Sequence, residues 1–191
     1  MNSIAFQENI TFEKEDFSGQ ELPGKEFVQC IFKNCNFEKA DLSGSDFLDC
    51  TFENCNLGLV KLKKTGLKTV QFNGCKLSGV DFSDCNDFLF SVGFTDCQLD
   101  YSAFQRRKMK KTKFKSCSLK ESHFTDVDLS ESVFENCDLS GTYFQNNNLE
   151  KADFRSAKNY IIDPEQNKMK KARFSAEGLP GLLGKYDLRI E

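Results

Sequence analysis

A large apolar residue recurs at every fifth position of this chain, and most residues between are polar. The series opens Phe12, Phe17, Leu22, Phe27, Phe32, Phe37 and runs unbroken to Phe82, fifteen centres that are all Phe or Leu. The phase slips by two residues between Asp84 and Ser91. It resumes as Leu89, Phe94, Leu99 and Phe104 and ends at Phe154, giving 29 centres of which only Met109 is neither Phe nor Leu. A period of five fits neither the 3.6 of a helix nor the 2.0 of a strand. A hexapeptide β-helix needs six, and the LxxLxLxxN spacing of leucine-rich repeats is absent.

A second order appears when four pentapeptides are taken as one coil of 20 residues. Phe12, Phe32, Phe52, Phe72, Phe94, Phe114, Phe134 and Phe154 then fall in one column, and Phe17, Phe37, Leu57, Leu77, Leu99, Leu119 and Leu139 in another. The position two before each centre is also constrained. It holds Cys35, Cys55, Cys75, Cys97, Cys117 and Cys137 in a single column, and elsewhere Cys30, Cys50, Ala40, Ser45, Thr65, Val80, Ser122, Ser132 and Ala152. Cys85 joins a third column if the insertion falls just after it. The chain is therefore read as all-β: coils stacked like strands about 4.8 Å apart, each pentapeptide one side of a square. The centre points inward, the residue two before it fills an inward slot for a small group, and the other three positions face water. About seven coils are expected.

Three breaks stand out. The two-residue insertion predicts a bulge at one corner. Arg107 occupies an inward slot; because burying an unpaired charge is costly, its side chain is expected to turn outward. After Phe154 the repeat becomes irregular over about 157–171 and returns to phase at Ala172 and Phe174. Residues 1–174 thus read as the shaft and 175–191 as a short C-terminal helix and tail. Ser175 is the candidate N-cap, with Glu177 in the first turn. Leu179, Leu182, Leu183 and Tyr186 share one face, suited to covering the last coil or to a dimer contact.

The fragments ADLSGSDF, CKLSGVDF, CSLKESHF, CDLSGTYF and NLEKADF resemble the A(D/N)LXX signature of the pentapeptide repeat family, over about residues 10–156. The resemblance implies a right-handed, quadrilateral β-helix. CQLDYSAF and the end of the chain resemble the Qnr-type and microcin-immunity group of bacterial resistance proteins. That group's members resemble duplex DNA in width and negative charge and engage DNA gyrase. The resemblance therefore implies a non-enzymatic topoisomerase interactor giving antibiotic resistance or toxin immunity, and a homodimer through the C-terminus. The alternative is a structural or adaptor protein that binds another protein through its charged shaft.

Composition fits a non-catalytic reading. The 191 residues include 20 Phe, no Trp and one His, and the net charge of −3 argues against a broadly basic nucleic-acid binder. His123 falls on an outward position, and no Ser-His-Asp set, Walker A loop or GxGxxG is present. No cofactor or metal is expected. Nine cysteines with no CxxC and no secretory signal point to reduced thiols in the cytoplasm. Charge is unevenly spread. Residues 1–57 carry 11 acids and 4 bases, residues 58–120 carry 5 and 13, and residues 121–191 carry 13 and 9. Two candidate surfaces follow. One is an acidic stretch, Glu121, Asp126, Asp128, Glu131, Glu135 and Asp138. The other is a basic belt on two adjacent sides, Lys61, Lys63, Lys64, Lys68, Arg106, Lys108, Lys110 and Lys111, which departs from the uniformly acidic surface of a DNA mimic.

Overall fold

The computed structural model describes residues 6–189. It is a right-handed parallel β-helix with four sides per coil and a short C-terminal helix. One side is a continuous seven-stranded sheet of Thr11–Glu13, Ile31–Lys33, Thr51–Glu53, Val70–Asn73, Val92–Thr95, Lys113–Lys115 and Val133–Glu135. Each strand pairs with the equivalent one coil away, so Phe12 lies on Phe32, Phe52 on Phe72, and Phe72 on Phe94. A second side is a four-stranded sheet, Phe6–Glu8, Glu26–Val28, Asp46–Leu48 and Gly66–Lys68, which stops at the insertion. A two-stranded sheet pairs His123–Thr125 with Tyr143–Gln145, and elsewhere the coils are held by single bridges, such as Asp41 with Lys61 and Asp128 with Asn148.

The inward columns form the core. Phenylalanine rings stack from Phe12 through Phe154 at 4.6–5.4 Å, and a further step of 5.3 Å carries the column to Phe174. Other columns meet this spine edge-on, as Phe27 does Phe32 and Phe104 does Phe114, a geometry that suits the ring quadrupole.

The slot two before each centre demands more than small size. The hydroxyls of Ser45, Thr65 and Ser132 donate to the carbonyls of Leu22, Leu42 and Met109 at 2.7–2.8 Å. The thiols of Cys55, Cys75 and Cys97 reach the carbonyls of Phe32, Phe52 and Phe72 at 3.3–3.4 Å. Asn147 and Asn167, too large for a small-residue rule, donate from their amides to Phe124 and Phe144. Where the slot holds Ser, Thr, Asn or most of the cysteines, it supplies a donor to the carbonyl of an inward centre on the neighbouring coil, a partner that a buried backbone carbonyl favours. All nine cysteines are buried. Burial pushes the Cys50 thiol up to about 11. It pushes that of Cys85 up to about 12 despite the nearby charge of Arg107.

Most corners turn on a residue with positive φ, including Leu59, Thr69 and Tyr101. The Asp or Asn just before a centre often braces the turn. Asp41, Asn56, Asp128 and Asp138 each accept the backbone N–H two residues on, at 2.9–3.1 Å. This is the physical reason for the acidic or amide residue in the repeat.

The structure corrects three local expectations. Leu89 is not an inward centre; it is 64% exposed, and Phe90 packs against the core instead. Arg107 does not turn outward; it is only 6% exposed, and its guanidinium donates to the Cys85 carbonyl at 2.7 Å and pairs with Asp87 at 2.8 Å. The insertion lies one coil below Arg107, between Asn86 and Ser91, and makes room for it there. Ser175 is not the helix N-cap. Its Oγ accepts the N–H of Gly178 in a preceding turn, and the helix spans only Pro180–Leu183, followed by a 3-10 turn at Gly184–Tyr186. Pro180 supplies the helix start, where its missing N–H is no loss.

Candidate protein-binding surface

The outward positions place the acidic residues on one coil, around all four sides. Glu121 and Asp126 stand exposed at successive corners, and Glu135 is exposed on the long sheet beside Phe134. The other three are engaged with their neighbours. Asp128 braces its turn and accepts from the Asn148 amide at 3.0 Å. Glu131 meets the ammonium groups of Lys110 at 3.1 Å and Lys111 at 3.8 Å, and Lys110 foremost lowers its carboxyl pKa. For Asp138, desolvation opposes ionisation. Hydrogen bonds from Ser140 and Asn159 and the Lys120 ammonium outweigh it and hold the carboxyl at about 2. The six carboxylates therefore form a ring, half of it occupied in bracing the shaft.

The basic belt is more compact. Lys61, Lys63 and Lys64 lie on one coil, and Arg106, Lys108, Lys110 and Lys111 on the coil beyond the insertion. Lys68 is half-buried and paired with Asp46 at 2.9 Å. Among the described residues, Lys61, Lys63, Lys64, Arg106 and Lys108 make no ion pair. The belt brackets the insertion, whose Phe88 and Leu89 are each 64% exposed. Sequence reasoning missed Phe88 and Leu89 as exposed residues and Arg107 as their buried support. The signal was the coincidence of an oversized slot residue with an insertion one coil away.

The C-terminal face divides. Leu182 packs on the core, Leu183 is half-buried, and Leu179 and Tyr186 are exposed. The Tyr186 hydroxyl donates to Glu165 at 2.7 Å, and Lys185 bridges Asp163 and Glu165 at 2.8 and 2.6 Å. Those two carboxylates raise the Lys185 pKa. The Ile162 N–H donates to the Gly181 carbonyl at 2.9 Å, so the segment is tied down over the last coil.

His123 is exposed, its ring 5.9 Å from that of Tyr143. Among the described residues no cluster of three or more His, Cys, Asp or Glu could hold a metal ion. No helix among them is long and apolar enough to cross a membrane.

A family model described as "Pentapeptide repeat region" matches residues 25–104 and 107–179. No curated protein matches the sequence. Among solved structures, full-length QnrB1, a plasmid-mediated fluoroquinolone resistance protein, superimposes with a TM-score of 0.53 at 15% identity, covering 96% of this chain and 100% of the other. A trypsin-treated variant of QnrB1 gives 0.50 at 18% identity, covering 95% and 100%. HetL, a pentapeptide repeat protein involved in heterocyst differentiation regulation in the cyanobacterium Nostoc, gives 0.40 at 15% identity, covering 91% and 85%. The two QnrB1 likenesses show the fold.

Proposed function

Because the chain belongs to the pentapeptide repeat family, we propose that it is a non-enzymatic, cytoplasmic protein-binding rod whose partner is a type II topoisomerase, DNA gyrase. The observation that carries this reading is the shaft itself. The stacked Phe12–Phe174 column makes a straight rod of roughly 38 Å at the usual coil spacing, with polar side chains in rows on all four sides. Such a surface suits docking along an extended cleft. A homodimer through the exposed Leu179 and the tail beside it would lengthen the rod, and light scattering of the intact chain reads that out.

The test is gyrase supercoiling with and without a quinolone. Asp128 and Asp138 brace turns, so reversing them would confound binding with folding. Glu121→Lys, Asp126→Lys and Glu135→Lys change free surface charge instead. Together they should weaken the effect on gyrase roughly tenfold, and less so at high salt. Lys108→Glu, Lys110→Glu and Lys111→Glu should strengthen it, because they extend the negative surface. No effect of the wild-type chain on supercoiling sinks the gyrase reading.

The second reading is an adaptor that uses the basic belt. That Lys61, Lys63, Lys64, Arg106 and Lys108 make no ion pair among the described residues favours it, and it predicts the opposite sign for the lysine reversals.

A further inference from the structure

Several local rules of this solenoid are broken at one place. Two extra residues interrupt the period, and two large apolar side chains stand in solvent. Beneath them a buried arginine replaces the usual small slot residue. When local choices conflict with the fold at one point, function is the usual reason.

The projection is held firmly. The Phe88 N–H donates to Asn86 Oδ1 at 3.0 Å, and the Ser91 N–H returns to the Leu67 carbonyl at 2.9 Å. Arg107 ties the base of the bulge to the shaft through Cys85 and Asp87, with its guanidinium 5.6 Å from the Phe90 ring. A tip fixed in advance loses little freedom on docking, and a buried aromatic anchor is the usual centre of a binding interface.

The surroundings state the partner's charge. Lys68 Nζ, paired with Asp46, lies 5.7 Å from the Phe88 ring; Lys64 and Arg106 flank the bulge without an ion pair among the described residues, and Lys108, Lys110 and Lys111 stand on the coil beyond. The bulge's own acid, Asp87, is paired with Arg107, and Glu131 is paired with Lys110 and Lys111; among the described residues Asp81, Asp84 and Asp128 make no ion pair, and neither do the bases Lys61, Lys63, Lys64, Arg106 and Lys108. We propose that Phe88 and Leu89 form an apolar docking tip for a protein whose contact surface is an apolar pocket with an acidic rim. A long nucleic acid fits poorly, because the belt is flanked along the rod by segments of net charge −7 (residues 1–57) and −4 (residues 121–191). The inference rests on the protein-binding reading but not on gyrase as the partner.

The experiment places the photo-cross-linker p-benzoylphenylalanine at position 88 of the full chain in cells, and at the exposed position 143 as a control. The expected result is a protein adduct specific to position 88, mapped to a net-acidic segment that contains apolar residues. The purified partner should then bind Phe88→Ser/Leu89→Ser at least tenfold more weakly than wild type, and Lys108→Glu/Lys110→Glu likewise, with circular dichroism unchanged. No adduct specific to position 88, an adduct to nucleic acid or to a basic segment, or unchanged affinity in the serine variant overturns the proposal. If the tip captures such a partner and gyrase gives no adduct and no supercoiling effect, the tip stands and the gyrase reading falls.

Discussion

Replacing Phe114 with alanine should cost about 3–5 kcal/mol of folding free energy, the range for deleting a fully buried phenylalanine. Phe114 has no exposed surface. Its ring stacks on Phe94 at 5.3 Å and Phe134 at 4.8 Å, and meets Phe104 and Phe124 edge-on at 6.3 and 6.1 Å. The backbone around it is fixed by pairing to both neighbouring strands, so the cavity has little means of closing. Each coil touches only its neighbours, and a defect at mid-shaft weakens two interfaces at once. Phe12, at the open end of the column and only partly buried, should cost clearly less when truncated. Lys115→Ala, an outward change one residue along, should stay within about ±0.5 kcal/mol. Urea melts order the three variants. Equal losses for Phe114 and Lys115 would mean that the inward assignment is wrong.

That assignment was legible in the sequence because one geometric demand is repeated on every side of every coil. A period of five, with identity conserved every 20 residues, allows few solutions, and the columns headed by Phe12 and Cys35 emerged directly. The chemistry of the slot was less legible. Size alone explains Cys, Ser, Thr, Ala and Val there, and only Asn147 and Asn167 betray that a donor suits the slot; Arg107 donates instead to the carbonyl of another slot residue, Cys85. The candidate surfaces were half legible. Sequence counts charges but not their partners, so the acidic stretch looked like one surface. In the fold, Asp128 and Asp138 brace turns and Glu131 answers two lysines of the belt. At the C-terminus, heptad-like spacing suggested one apolar face, yet Pro180 starts the helix late and Leu182 turns to the core.

The insertion and Arg107 should prove to be one device, and a deletion cycle measures this. Removing Asp87 and Phe88 leaves Cys85-Asn86-Leu89-Phe90-Ser91 ahead of Val92, which restores the five-residue period with Leu89 as centre. With Arg107 retained, the deletion should destabilise the shaft by about 3–5 kcal/mol. It removes the guanidinium's carboxylate partner and the space the bulge provides, and it leaves a buried charge uncompensated. Arg107→Ser alone should cost about 2–3 kcal/mol. It gives up a charge-assisted bond to the Cys85 carbonyl, and it opens a void under Phe90. Combined, the changes should return to within about 1 kcal/mol of wild type, because a serine in a regular coil repeats what Ser122 and Ser132 already do in theirs. The coupling between the two sites would then exceed the few tenths of a kcal/mol found for independent sites and favour the double variant. If the losses simply add, the arginine and the bulge are separate accidents, and the tip at Phe88 and Leu89 has no built support beneath it. If they cancel as expected, the regular shaft folds without the bulge. The molecule then carries Arg107 to hold Phe88 and Leu89 out in solvent, and not to complete its own core.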